Sequence, residues 1–280
     1  MNRTNLIIFT LLILLGAIGL AIYLQSKPVS EQMIQDVQQI PPQEPIKKPI
    51  VHYPVPGLIA EPATPPAELN DAAAQAVSPK LPESLPPVQE SDQSIKEAIK
   101  SLLNGKTSVK LLYMENFIQR FVTTIDNLPE KRLPRAHLPI KAPGGKFLVA
   151  GTVEAPQTSS RNDKRYSTYL ILLESINHDL AIKIYAYFYP LFQTAYEQLG
   201  YQNAYFNDRL VYVIEHLLET PNPPDPIQLA QPSVLFTYAD PNLELLSAGQ
   251  KILLRIGQNQ RSRVLKILDL YKQKLTNLHP

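Results

Sequence analysis

Five histidines, His52, His137, His178, His216 and His279, are the side chains best suited to moving protons or holding a metal near neutral pH, and their spacing argues against both roles. No two stand three or four residues apart, so no helix presents a pair of imidazoles on one face. Glu215 and His216 are adjacent, which sends them to different sides of a helix, and the H-E-x-x-H spacing that joins two zinc ligands to a general base is missing. A lone helical histidine is more often a hydrogen-bonded packing residue, and His216 reads that way. Gly144-Gly145 precedes the strand-like run 147–153, the wrong order for a phosphate-cradling loop, and no G-x-S-x-G elbow marks a serine nucleophile. The chain has no cysteine, which excludes thiolate catalysis, zinc–thiolate sites and disulfides. No cofactor or metal is expected, and no catalytic residue is assigned.

One polar constellation remains. Asn207, Asp208 and Arg209 stand together at a helix start, and Lys251 and Arg255 lie four apart on another helix. If those faces meet, they hold an anionic group or ion-pair with Asp208. The competing reading is a structural ion pair plus a helix cap, and such networks commonly fix helix packing. In an enzymatic alternative acting on cell-wall glycan or peptide, Asp208 or Glu215 would serve as general acid or base. Tyrosines 185, 187, 189, 196, 201, 205 and 212 fit core stripes better than a sugar-binding surface, because there is no tryptophan beside them.

The elements that position these residues follow from periodicity. Ser94-Ile95-Lys96-Glu97 reads as a capping box opening a first helix that Asn104-Gly105 ends. A second helix follows Ser108, carrying Met114, Phe117, Ile118, Phe121, Val122 and Ile125, and Pro129 closes it. Residues 131–165 are rich in proline and hold eight Lys/Arg against two acids, which reads as a solvated loop around the strand 147–153. Tyr166, Tyr169, Leu170 and Leu173 suggest a helix, although Tyr169 to Leu173 reads equally as a buried strand. Ile184 to Leu199 continues a helical face to Gly200, with Pro190 predicted to kink it or start it afresh. Asn207 or Asp208 caps a helix over 210–218 that Pro221 stops. Ile227–Ala230 and Val234–Tyr238 join 147–153 in a small antiparallel sheet. Asp240-Pro241 opens a helix to Ile256, Gly257 ends it, and a last helix begins near Asn259. The fold class is α+β: a mostly helical domain with a small antiparallel sheet.

Several runs carry a resemblance. Tyr189-Pro190-Leu191-Phe192 with Ala195-Tyr196 and Leu199-Gly200-Tyr201, then Phe206 to Leu210, then Ala239-Asp240-Pro241 with Leu246 to Lys251 and Leu254-Arg255, look like an uncharacterised bacterial family. Its members share an N-terminal anchor, a proline-rich linker and this C-terminal domain, so the resemblance implies a bacterial envelope protein. The family has no assigned activity, and no catalytic residue carries over from it.

The rest of the chain fits that layout. Leu6 to Leu24 is free of charge and would form a helix of about 28 Å, close to the hydrocarbon thickness of a bilayer. It lacks an A-x-A cleavage site and reads as an uncleaved anchor. Arg3 on one side, against Lys27, Glu31 and Asp36 on the other, predicts a cytoplasmic N-terminus and a periplasmic domain. Fourteen of the 27 prolines lie between Pro28 and Pro87, so that stretch reads as an unfolded tether. Stretched, the tether would reach on the order of 190 Å. His52 and Tyr53 are its only residues unlike spacer. The organisation is therefore 1–5 cytoplasmic, 6–24 transmembrane, 25–90 linker and 91–280 globular. From Ser91 onward, 22 basic against 17 acidic side chains leave the domain mildly cationic, short of the density a nucleic-acid binder needs. Partners are expected to be the bilayer, an envelope protein or an anionic cell-wall polymer, with a binding or scaffolding role.

Overall fold

Two short β-hairpins and a set of packed helices make up the domain, described here from a computed structural model over residues 51–55, 81–82, 84–103 and 109–278. Helix α1 spans Asp92–Leu102 and α2 spans Phe117–Asn127. Strands β1 (Val149–Gly151) and β2 (Pro156–Thr158) pair antiparallel. Helices α3 (Asn162–Glu174), α4 (His178–Gln198) and α5 (Phe206–Leu218) follow. A second antiparallel pair, β3 (Leu229–Ala230) and β4 (Thr237–Tyr238), precedes α6 (Pro241–Glu244), α7 (Ala248–Arg255) and α8 (Gln258–Thr276). The α+β class agrees with the sequence reading, although the sheet is two hairpins joined by one bridge, Gln157 to Gln228. Strand β2 was not foreseen, because Pro156-Gln157-Thr158 has no alternation to betray it.

The core forms where α2, α4, α5 and α8 pack on one another. Phe121, Phe192 and Phe206, one from each of α2, α4 and α5, meet with ring centroids 5.3 to 6.1 Å apart. Helix α4 runs unbroken through Pro190. Proline removes the donor for the Ala186 carbonyl, but Phe188, Tyr189, Leu191 and Phe192 on either side are all buried, and their packing outweighs a penalty of about 3 kcal/mol.

Helix ends differ from the local reading in an instructive way. Ser94 and Glu97 form no capping box: α1 starts earlier, and its first residue, Asp92, instead accepts from the backbone N–H groups of Asn116 (2.7 Å) and Phe117 (2.9 Å) at the start of α2. Met114 lies before that helix. The proposed end of α1 at Asn104-Gly105, and Ser108, lie outside the described residues. The predicted helix from Pro241 to Ile256 is broken in two. Asp240 caps α6 as foreseen, with Asn242 N–H donating to it at 2.8 Å, but Ser247 and Gln250 form a capping box that starts α7 anew.

Helix α7 enters a crowded corner. Its first two amides, Ala248 and Gly249, donate to the Glu130 and Leu128 carbonyls at 2.6 and 2.9 Å, so the orphan donors of one helix satisfy the turn that follows another. That approach requires glycine at 249: a methyl there would stand 2.6 Å from Leu217 Cδ2 and 3.0 Å from the Leu128 oxygen. Among the described residues no helix is long and apolar enough to cross a membrane, and the segment Leu6–Leu24 lies outside them. Gly249→Ala is predicted to cost about 1–3 kcal/mol through this overpacking. Urea denaturation of the variant beside the parent chain measures it.

Candidate functional site

The first turn of α5 buries two polar side chains that the sequence singles out. Asn207 is fully buried and Asp208 is 5% exposed. Neither caps its own helix, whose N-cap is Tyr205. That task falls to α4, where Gln193 accepts from the Phe206 N–H at 2.9 Å and is itself fixed by Tyr189, Glu197 and the Ala204 carbonyl. Asn207 and Asp208 are thereby free to face outward onto another segment of the chain.

That segment is residues 51–55, from the proline-rich tether. Tyr53 N–H donates to Asp208 Oδ1 at 2.7 Å, and the Tyr53 carbonyl accepts from Asn207 Nδ2 at 2.8 Å. In an extended chain the N–H and C=O of one residue point the same way, so two adjacent side chains grip Tyr53 as a neighbouring strand would. His52 Nδ1 lies 2.9 Å from Asp208 Oδ2 and donates to it in the tautomer protonated at Nδ1. The His52 ring covers Tyr205, with centroids 3.9 Å apart. Val55 enters the hydrophobic core at 4% exposure, and Tyr53 packs against that core half-buried. Asn207 is held from below by Tyr185 (3.1 Å) and reaches the Leu275 carbonyl of α8 at 3.3 Å. This clamp therefore sits where the start of α5 meets the end of α8.

The linker also touches the domain elsewhere. Tyr187 donates to the Pro82 carbonyl, Leu81 and Leu85 pack on the core, and Val88 is buried within it. Packing thus begins before Ser91, and the spacer reading does not describe 51–55, 81–82 or 84–90.

The other three candidate residues go elsewhere. Successive helical residues diverge by about 100°, so Arg209 leaves Asp208 and turns to α2. There its Nε donates to Asp126 Oδ1 at 2.9 Å and its Nη2 to the Asp126 carbonyl at 2.6 Å. Lys251 bonds the Glu244 carboxylate and carbonyl, both at 3.0 Å, closing the junction between α6 and α7. Arg255 stacks over Tyr238, 5.9 Å from the ring centre. Asn207 and Asp208 thus share one site while Arg209, Lys251 and Arg255 each lie elsewhere, Arg209 and Lys251 in ion pairs with Asp126 and Glu244. Glu215 pairs with Lys272 at 3.0 Å on the surface.

An unforeseen polar cleft of about 340 Å³ opens beside the first hairpin, lined by Ser159, Asn162, Asp163, Asp225, Arg255 and Gly257 among others. Burial, and then the nearby Asp225, raises the Asp163 carboxyl above its ordinary value. Asp163 Oδ1 lies so close to Gly257 that a side chain at 257 would meet it at 2.6 Å, and Gly257 has φ +87°. Asp225 accepts from the Gln258 N–H at 2.7 Å and caps α8. One turn on, Arg261 is fully buried, donating through Nη2 to Asn222 at 2.6 Å. No periodic signal joins Asp163 to Asp225, since they come from distant elements.

His216 is the packing residue its isolation suggests. Its Nε2 lies 2.9 Å from Ser247 Oγ, and its carbonyl accepts from Gln250 at 3.1 Å, tying α5 to the capping box of α7. Ser247 Oγ accepts from the Gln250 N–H, so its own hydrogen is available to a neutral imidazole. Burial lowers the His216 pKa below its ordinary 6.5, with Arg209 acting the same way and Glu219 and Glu130 opposing. Burial lowers His178, beside Tyr271, likewise. Below about pH 6.5 the unfolded chain binds protons that the folded chain resists, so stability falls as pH drops. His216→Gln is predicted to flatten that decline between about pH 6.5 and 5, read from urea midpoints across the range.

No curated protein and no solved structure matches the chain. A family model described as "Protein of unknown function (DUF3014)" matches residues 117–272, a stretch that includes Asn207, Asp208, Asp163 and Asp225 and begins after the tether. The chain belongs to this DUF3014 family.

Proposed function

We propose that this chain is a membrane-anchored envelope protein whose C-terminal domain is a binding or scaffolding module on the periplasmic side. The observation that carries the binding role is the clamp: two buried polar residues of α5 are committed to a segment of chain far away in sequence. Asp208, the carboxylate that an enzymatic reading would use, has both oxygens engaged by that segment. The anchor reading draws on the uncharged run Leu6–Leu24, and the orientation on Arg3 and the amino terminus against Lys27, Glu31 and Asp36 on the other side of the run. With 51–55 clamped, residues 25–50 alone separate the clamp from the apolar run, a contour of at most about 80 Å at ~3.1 Å per residue. The domain would then work much nearer the bilayer than the whole linker permits, where its mild positive charge suits anionic envelope polymers.

A cell-wall-acting enzyme is the second reading, and the polar cleft favours it over any use of Asp208 or Glu215. There Asp163, its carboxyl raised by burial and then by the nearby Asp225, lines the cleft as a candidate general acid. Turnover of cell-wall fragments by the purified chain, lost on Asp163→Asn, is the result that would displace the binding role.

Reporter fusions at the C-terminus test the location. A reporter active only in the periplasm is expected to be active, and one active only in the cytoplasm silent. The reverse pattern would sink the envelope reading.

A further inference from the structure

We propose that the Asn207–Asp208 clamp is a recognition site for extended peptide, and that residues 51–55 are its resident ligand rather than a fixed part of the fold. This rests on the binding-module reading and names the ligand class. The polar contacts are to backbone: Asp208 takes the N–H of Tyr53 and Asn207 its C=O, groups that every non-proline residue offers. Recognition by backbone pairing is how exposed strand edges capture peptides, with pockets for particular side chains adding selectivity.

Here the selectivity has three parts. At position 52 the site takes a flat ring that donates a hydrogen bond, since His52 lies over Tyr205 and reaches Asp208 Oδ2 at 2.9 Å. Positions 53 and 55, on the same side of an extended chain, turn toward the core, and Val55 is buried there. Pro54, between them, needs no partner for a missing N–H and is exposed. The ligand class is therefore an extended segment with a ring at its first position and an aliphatic residue at its fourth, proline being tolerated at the exposed third, and with the second residue donating and accepting through its backbone.

Half of the clamp is positioned from within the domain. Asn207 is oriented by Tyr185 and the Leu275 carbonyl, and the α5 N-terminus is capped by Gln193, all from within the domain. The resident segment reaches the site from outside it, through residues 56–80. A segment of the same chain binds its site intramolecularly, so a peptide in trans competes poorly with it. Disabling the resident segment should open the site.

Tyr53→Pro does this in the full chain, removing the N–H that Asp208 accepts and leaving every residue of the domain in place. The probe is a fluorescent synthetic peptide of residues 49–57, followed by anisotropy. We expect saturable binding to the Tyr53→Pro chain, at least tenfold tighter than to the parent chain. Binding should be lost when Asp208→Asn is added or when the peptide itself carries Tyr53→Pro. A folded Tyr53→Pro chain that leaves the peptide unbound would overturn the proposal, as would equal binding with and without Asp208→Asn. A Tyr53→Pro chain that fails to fold would make 51–55 part of the fold and overturn it equally. None of these outcomes bears on the topology reporters, so location and ligand class fail separately.

Discussion

A carboxylate that folding removes from water must find hydrogen-bond donors, and Asp208 finds them in the linker rather than in its own domain. Leaving a buried acceptor unmet costs about 1–3 kcal/mol, and more for a charged one. Tyr53 N–H and His52 fill both oxygens of Asp208, and Asn207 completes the grip on the Tyr53 carbonyl. Much around α5 follows from keeping that pair in place. Gln193 caps the helix so that Asn207 and Asp208 need not, Tyr185 fixes Asn207, and Arg209 anchors the next position to Asp126. The Arg209–Asp126 pair is itself largely buried, at 6% and 12% side-chain exposure, and losing one partner of such a pair typically costs about 3–5 kcal/mol.

The same device recurs across the domain. Helix N-termini are satisfied by side chains or turns of other elements: Asp92 of α1 serves α2, Gln193 of α4 serves α5, Asp225 serves α8, and the carbonyls of Leu128 and Glu130 serve α7. Each such bond fixes the direction of one helix against a neighbour. The helices are therefore positioned by polar contacts at their ends as well as by the aromatic contacts between α2, α4 and α5. His216 belongs to this scheme, holding the capping box of α7 against α5.

That arrangement explains what could be read from the residues alone. Stripes such as Phe117, Phe121, Val122 and Ile125, or Leu210, Val213, Ile214 and Leu217, announce their helices because burial imposes the helical period. Local punctuation was legible too: Asp240-Pro241 opens α6, and Gly200 and Gly257 take positive φ at helix ends. Caps supplied from a distance were not legible. Ser94 and Glu97 have the right spacing for a capping box, but Asp92 sets the helix start and reaches across to α2. Asn207 and Asp208 stand out by type and position, while their partner lies in a stretch whose composition reads as spacer. His52 and Tyr53 were the two residues that broke the spacer composition, and nothing in their spacing points to a contact more than 150 positions away. The Asp163–Asp225 cleft depends wholly on tertiary folding and left no trace in sequence.

Membership of a family without assigned activity leaves the chemistry of the site as the guide to function. The clamp joins residues 51–55 to the domain as one structural unit, because the polar groups of Asn207 and Asp208 are met by that segment. Hydrogen exchange at the Tyr53 amide of the full chain tests that claim most directly. A clamped amide, donating to a carboxylate, is predicted to exchange far more slowly than an unstructured one, and Asp208→Asn should accelerate it while core amides of α4 stay protected. Exchange of the Tyr53 amide at the unstructured rate in the parent chain would contradict the account.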